Sequence, residues 1–267
     1  MYPSNNNPYG SPYGSPYGAP GANPYAYPGA GAAGLDFAAV MRQAYLWLAG
    51  GLVICFGVAY AVGQAANSAI HNGQVSGLGA LIFNPVALIV AFVVYLGLGF
   101  GFYPIVRRAN PALGGVLYAV FAVVFGFLVS GIFVEYTTAS IATTFLITAA
   151  MFGVMSVVGY VTRLDLSKLW AVFLVALIGL IIASIVNIFL ASPILYWVIT
   201  FAGVLIFTGL IAYDTQWLKR NAMSITAYSS GNTDAVARVA LIGAFRLLLD
   251  FVNLFLFLLR IFGNSRN

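Results

Sequence analysis

Residues 239–262 read VALIGAFRLLLDFVNLFLFLLRIF, 24 residues interrupted by only three charges, Arg246, Asp250 and Arg260. A helix needs ~20 predominantly apolar residues to cross ~30 Å of hydrocarbon. The other spanning solution, a closed barrel, is built from alternating segments of ~10 residues. This run is too long and too uniformly apolar for that, so it reads as a transmembrane helix.

Working outward, six more runs of the same kind precede it, at 43–64, 83–105, 112–134, 139–161, 169–190 and 194–216. Ala191, Ser192 and Pro193 alone separate the fifth and sixth, which predicts a tight helical hairpin there. The whole chain of 267 residues is 62% hydrophobic and 6% charged, with 11 bases and 6 acids. A soluble domain carries roughly a quarter charged residues, so a soluble enzyme is excluded. Disorder along the whole chain is excluded as well, because disorder needs low hydrophobicity and high charge. The expected fold is therefore all-α, a polytopic membrane protein of seven transmembrane helices.

Two domains are expected. Residues 1–34 hold no charge, and seven prolines, seven glycines and six tyrosines fall in repeats such as NPYG and SPYG. Little aliphatic surface is present to bury, so this stretch reads as a disordered cytoplasmic tail, with an aromatic-spaced interaction arm as the alternative. It lacks the basic start and apolar run of a signal peptide. Residues 35–267 form the seven-helix domain and hold all seventeen charges.

The bases set an expected orientation. Arg42, Arg107, Arg108, Arg163, Lys168, Lys219, Arg220 and Arg238 all fall before span one or in alternate loops. The intervening loops, 65–82, 135–138 and 191–193, hold no Lys or Arg; Arg260 and Arg266 lie at the C-terminal end. Positive loops stay inside, which puts the N-terminus in the cytoplasm and the C-terminus outside.

Other classes fall on inventory. One cysteine, Cys55, forms no internal disulfide, and one histidine, His71, in a Gly- and Asn-rich loop, leaves no zinc site and no obvious triad. The net charge of +5 is scattered in small groups rather than gathered in a stripe, so no nucleic acid is expected. No HExxH motif occurs, and no cofactor or enzymatic activity is expected. Gly97 and Gly101, a small-xxx-small pair, read as a close helix contact. Cys55 reads as a packing residue.

Charges inside spans carry the functional signal. A carboxylate at mid-bilayer costs at least ~2.5–3.5 kcal/mol and marks a functional site by default. Asp214 and Asp250 are the two clear cases. Lys219 and Arg220 place Asp214 about 7–8 Å from the cytoplasmic end of its span, and Asp250 falls about 16 Å into the last one. Tyr213, Thr215, Gln216 and Asn253 could add polar atoms to an ion path, and Glu135, at the outer end of span three, either simply faces water or stands at the outer mouth of that path. Asn253 shares a helix face with Asp250.

The segment Leu247-Leu248-Leu249-Asp250-Phe251-Val252-Asn253-Leu254-Phe255-Leu256, continued by Leu258-Leu259-Arg260-Ile261-Phe262-Gly263 and preceded by Tyr213-Asp214, resembles the Bax inhibitor-1 family, also called the transmembrane BAX inhibitor motif family. The resemblance covers about residues 40–263; its last motif is specific, and the earlier spans match in spacing and apolarity. It implies seven spans with the last one central and ringed by the other six. It implies a pH-sensitive calcium leak channel of the inner membrane, with Asp214 and Asp250 as pH sensor, gate and transient metal ligands. It also implies a basic partner for Asp214 at the end of span two, which is Arg107 or Arg108.

The chemistry of such a pair is simple. Two carboxylates about 3 Å apart share a proton rather than both ionising. Protonated, the pair latches two helices; ionised, it breaks the latch and offers calcium the oxygen ligands it prefers. Arg246, four residues before Asp250 on the same helix face, departs from the family pattern of a neutral residue there. It either pairs with Asp250 and holds it ionised, or snorkels toward the cytoplasm, the reading favoured here.

Competing expectations are a non-transporting protein that modulates a membrane-bound ATP-dependent protease through the tyrosine-rich tail, and a proton-coupled exporter using the same aspartates. The expected partners are the lipid bilayer, calcium ions and, in the first of these, the protease.

Overall fold

The computed structural model describes residues 30–72, 77–108, 110–228 and 233–266. The helices are α1 (Ala30–Asn72), α2 (Leu78–Leu81), α3 (Pro85–Arg108), α4 (Pro111–Val129), α5 (Ile132–Glu135), α6 (Thr138–Val161), α7 (Trp170–Leu190), α8 (Pro193–Tyr228) and α9 (Thr233–Phe262). A short 3₁₀ turn over Leu166–Leu169 leads into α7. Seven segments, α1, α3, α4 with α5, α6, α7, α8 and α9, are long and apolar enough to cross a membrane. With no water in hydrocarbon to satisfy the backbone, helices that close their own hydrogen bonds are the solution this composition dictates.

The breaks between spans have local causes. The Asn110 side chain accepts from Ala112 N at 2.8 Å and Pro111 opens α4, a standard helix start. Thr137 caps α6 in the same way. At the expected hairpin, Ala191 closes α7 in the left-handed region at φ 47. Its N–H bonds Asn187 O, Ser192 N bonds the Asn187 side chain at 3.1 Å, and Pro193 begins α8. Two observed bounds differ from the expectation. Helix α1 begins at Ala30, inside the stretch read as a tail, and runs on to Asn72, so His71 lies in its last turn and not in a loop. The tail reading for residues 1–29 lies outside the described residues.

Helix α9 is the axis of the bundle. Of its most apolar window 78% is buried, and it packs against α8, α1, α6, α4 and α3. Aromatic rings from its neighbours close around it: Phe102 stacks on Phe245 at 4.2 Å, Phe121 meets Phe245 at 4.7 Å, and Phe56 meets Phe255 at 5.0 Å. The ring of helices is uneven, because α7 packs chiefly on α8. Helices α3 and α7 lie at the periphery, each with 6% of its window buried.

That placement corrects the reading of Gly97 and Gly101. An added Cβ at Gly97 would meet nothing, and at Gly101 only the Ile105 side chain of the same helix. The close crossings lie elsewhere. Gly126 of α4 sits against the Cys55 backbone carbonyl of α1, and Gly159 of α6 against the Ala212 backbone of α8, where any side chain would collide. Cys55 is buried at the first of these crossings, as a packing residue.

Candidate functional site

Asp214 of α8 and Asp250 of α9 face each other inside the bundle, 5% and 4% exposed, with their carboxyls within hydrogen-bonding reach. Their unequal depths by sequence resolve through helix length. Helix α8 continues past Lys219 to Tyr228, so Asp214 lies fourteen residues from its end, and Asp250 lies seventeen residues into α9. At 1.5 Å per residue these are about 21 and about 26 Å, close enough for antiparallel neighbours to meet.

Arg246 completes the group. Its Nη2 lies 2.6 Å from Asp214 Oδ1, and its Nε donates to Asp214 Oδ2 at 3.2 Å. It therefore neither snorkels away nor pairs along its own helix with Asp250. The helix–helix seam offers a carboxylate across from it, and the planar guanidinium takes two contacts there. The guanidinium is fixed from the side by Trp217, 4.5 Å to the ring centroid, and Tyr213, 5.6 Å. Those two residues also wall a cleft of about 590 Å³, with Phe102, Tyr103 and Trp170. Arg246 lines it and keeps its side chain 23% exposed.

Among the described residues, the cation on Asp214 is thus Arg246, not Arg107 or Arg108. Arg107 lies over the Tyr103 ring at 5.5 Å, and Arg108 is exposed at the end of α3. Helix α3 is peripheral, which leaves the central helix to supply the charge.

The charge count within this group is informative. Arg246 and ionised Asp214 neutralise each other. Asp250 Oδ2 has no hydrogen-bond donor among the described residues. The group facing it is another carboxyl, and an O–H···O bond between two carboxyls needs one proton between them. With that proton the three side chains are neutral together; without it they carry one buried negative charge.

The other candidates separate. Gln216 is spent on the α6–α7 connection: its Oε1 accepts from Leu166 N at 2.9 Å and its Nε2 donates to Leu164 O at 2.8 Å. Asn253 donates to Leu249 O of its own helix. Tyr213 contributes its ring, packed on Trp170 and Phe173. Thr215 is brought in, its hydroxyl 3.5 Å from Ser156 Oγ. Glu135 is far off at the end of the bundle that carries the C-terminus, exposed, its carbonyl accepting from Arg266 N at 2.8 Å. Beside it, burial and the Glu135 carboxylate push the Tyr136 hydroxyl up to about 12.

A second polar feature lies on α6, outside the motifs of α8 and α9. Ser140, Thr144, Thr148 and Ser156 of α6 are all buried and fall on one face, at intervals of four, four and eight residues. That periodicity stands in the sequence and was available as a signal.

Residues 38–267 match the family model described as Inhibitor of apoptosis-promoting Bax1. The chain is 40% identical over 226 residues to the inner membrane protein YbhL of Escherichia coli, covering 85% of this chain and 92% of that one. It is 37% identical over 228 residues to an uncharacterized protein of Deinococcus radiodurans, covering 85% and 90%. It is 38% identical over 235 residues to an uncharacterized protein of Caulobacter vibrioides, covering 85% and 88%. With seven spans, the seventh of them central, and a match across nearly all of them, the chain belongs to the Bax inhibitor-1 family.

Proposed function

We propose that the protein is a pH-sensitive cation leak of the inner (plasma) membrane, that calcium is the ion it passes, and that Asp214 and Asp250 are its gate. The observation that carries this reading is the buried carboxyl pair bridging α8 and α9, with Arg246 fixed on one member. Its basic loops face the cytoplasm and its C-terminus faces outward.

In the closed state one proton lies between the carboxyls, and the pair ties the two helices together. Rising pH removes that proton. Two carboxylates then repel across the seam, and the buried group gains a negative charge that a divalent cation neutralises. Calcium favours carboxylate, carbonyl and water oxygens and takes six to eight of them. Two carboxylates with a few hydroxyls make a passing site rather than a resident one; among the described residues no cluster of three His, Cys, Asp or Glu occurs. Arg246 competes with the cation for Asp214 and keeps that site from trapping the ion.

Calcium entry into liposomes holding the purified protein, followed from mildly acidic to mildly alkaline pH, tests this. Wild type should pass more calcium as pH rises. Asp214→Asn and Asp250→Asn should each flatten that dependence. Entry no faster than into empty liposomes at every pH sinks the leak and turns attention to the reading in which residues 1–34 contact a protease.

A further inference from the structure

The hydroxyl face of α6 has fixed ends. Ser140 Oγ accepts from Asn264 N at 2.9 Å and donates to Phe262 O at 3.4 Å, beside the last turn of α9. Ser156 Oγ meets the hydroxyl of Thr215, the residue after Asp214. The face therefore runs from the C-terminal end of the bundle to the level of the aspartates, along the helices that carry them.

Its middle is not satisfied internally. Thr148 Oγ1 donates to Thr144 O at 2.8 Å. Thr144 Oγ1, on a fully buried residue, has no partner among the described residues. A buried hydroxyl in that position costs free energy unless water or an ion meets it. At the other end of the face stands Asp250, whose carboxyl faces that of Asp214. An unmet hydroxyl within a row of hydroxyls inside hydrocarbon is a place that draws in water.

One residue interrupts the row. Phe152 occupies the next position in the four-residue interval, between Thr148 and Ser156, and its ring meets that of Phe251 edge-on at 5.5 Å. Phe251 is the neighbour of Asp250. An apolar constriction of this kind stops ions by excluding their water.

We propose that this face of α6 is a hydrated cation passage leading to Asp214 and Asp250, with Phe152 and Phe251 as its plug. The proposal rests on the reading of the aspartates as a cation gate. Neutral hydroxyl and carbonyl oxygens suit it, because they replace part of a cation's hydration without holding the ion.

The single native cysteine makes the passage testable by labelling. In a Cys55→Ala background, Thr144→Cys and Thr148→Cys are placed in liposomes with a small cationic methanethiosulfonate on both faces. Ala122→Cys, at a fully buried position of α4, is the dry control. The two passage positions should label at least about ten-fold faster than the control, since thiol reactivity follows access to water. Rates equal to the control overturn the passage. Labelling needs no ion flux: fast labelling in a protein that passes no calcium supports the passage and fails the leak, whereas calcium entry without labelling places the route elsewhere. The plug is read by Phe152→Ala, and by Phe152→Leu if the first does not fold. Either should raise calcium entry several-fold at acid pH, and an unchanged rate in a conducting protein overturns the plug.

Discussion

Helices α7 and α9 are both single spans, yet they are built on opposite rules. Helix α7 is the most apolar of the seven and has 6% of its window buried; α9 is among the least apolar and has 78% buried. In water the order would be reversed, with apolar residues inside. In a bilayer the surroundings are as apolar as leucine, so polarity is retained only where protein encloses it. The buried helix is consequently the one that carries Arg246 and Asp250, and the exposed one carries no charge from Trp170 to Leu190. Burial here marks where the chemistry is, and hydropathy marks where the lipid is.

The sharpest way to break this contrast is to unbalance the buried group. Arg246→Leu leaves Asp214 buried without its cation and should cost ~3–5 kcal/mol, the usual result of removing one partner of a buried pair. Thermal unfolding in detergent would show it, and adding Asp214→Asn should restore most of the loss. If the single variant melts like wild type, the ion pair is not a structural tie.

A direct comparison of the two helices comes next. Leu248→Ala, at a fully buried position of α9, should cost ~2–5 kcal/mol. Ile181→Ala on α7, 58% exposed, should stay within about 0.5 kcal/mol. Equal melting shifts would contradict the assignment of centre and rim. Gly159→Val, which drives a side chain into the Ala212 backbone at the α6–α8 crossing, should cost ~1–3 kcal/mol by overpacking. The same change at Gly97 should be silent in the same melt.

The smallest effect belongs to the loops. Hydrogen bonds from Ser167, and then Arg220 at 2.6 Å, hold the Asp165 carboxyl down at about 2. Its folded value lies below the ordinary carboxylate range, so what it contributes is fully present above that range and is lost as pH falls through about 2. In a pH titration followed by carboxyl resonances, Asp165 should remain ionised after an ordinary aspartate is half protonated. Asp165→Asn should barely shift the melting temperature, because both partners are exposed.

Much of this was legible beforehand, for definite reasons. Span placement follows from run length alone, and the α7–α8 break was carried by three residues, with Pro193 unable to continue the preceding helix. Asp214 and Asp250 were conspicuous because charge in hydrocarbon is costly. What spacing along a helix did not convey was contact between helices. Arg246 stands four residues from Asp250, yet its carboxylate partner is on α8. Gln216 looked like a ligand beside Asp214, yet its amide ties down Leu164 and Leu166. Gly97 and Gly101 carry a packing pattern on a helix whose position at the rim leaves it unused.

The centrality of α9 has a consequence for biosynthesis. It follows the other six spans out of the ribosome, yet α1, α4, α6 and α8 all pack on it. During translation the earlier spans must enter the bilayer around a slot whose occupant does not yet exist, with Asp214 and the α6 hydroxyls facing into it. Such a slot favours a polar late arrival over lipid: Arg246 finds its counter-charge already in place, which offsets the cost of inserting a span with three charges. Assembly is then vectorial, with the central helix set after the ring that receives it.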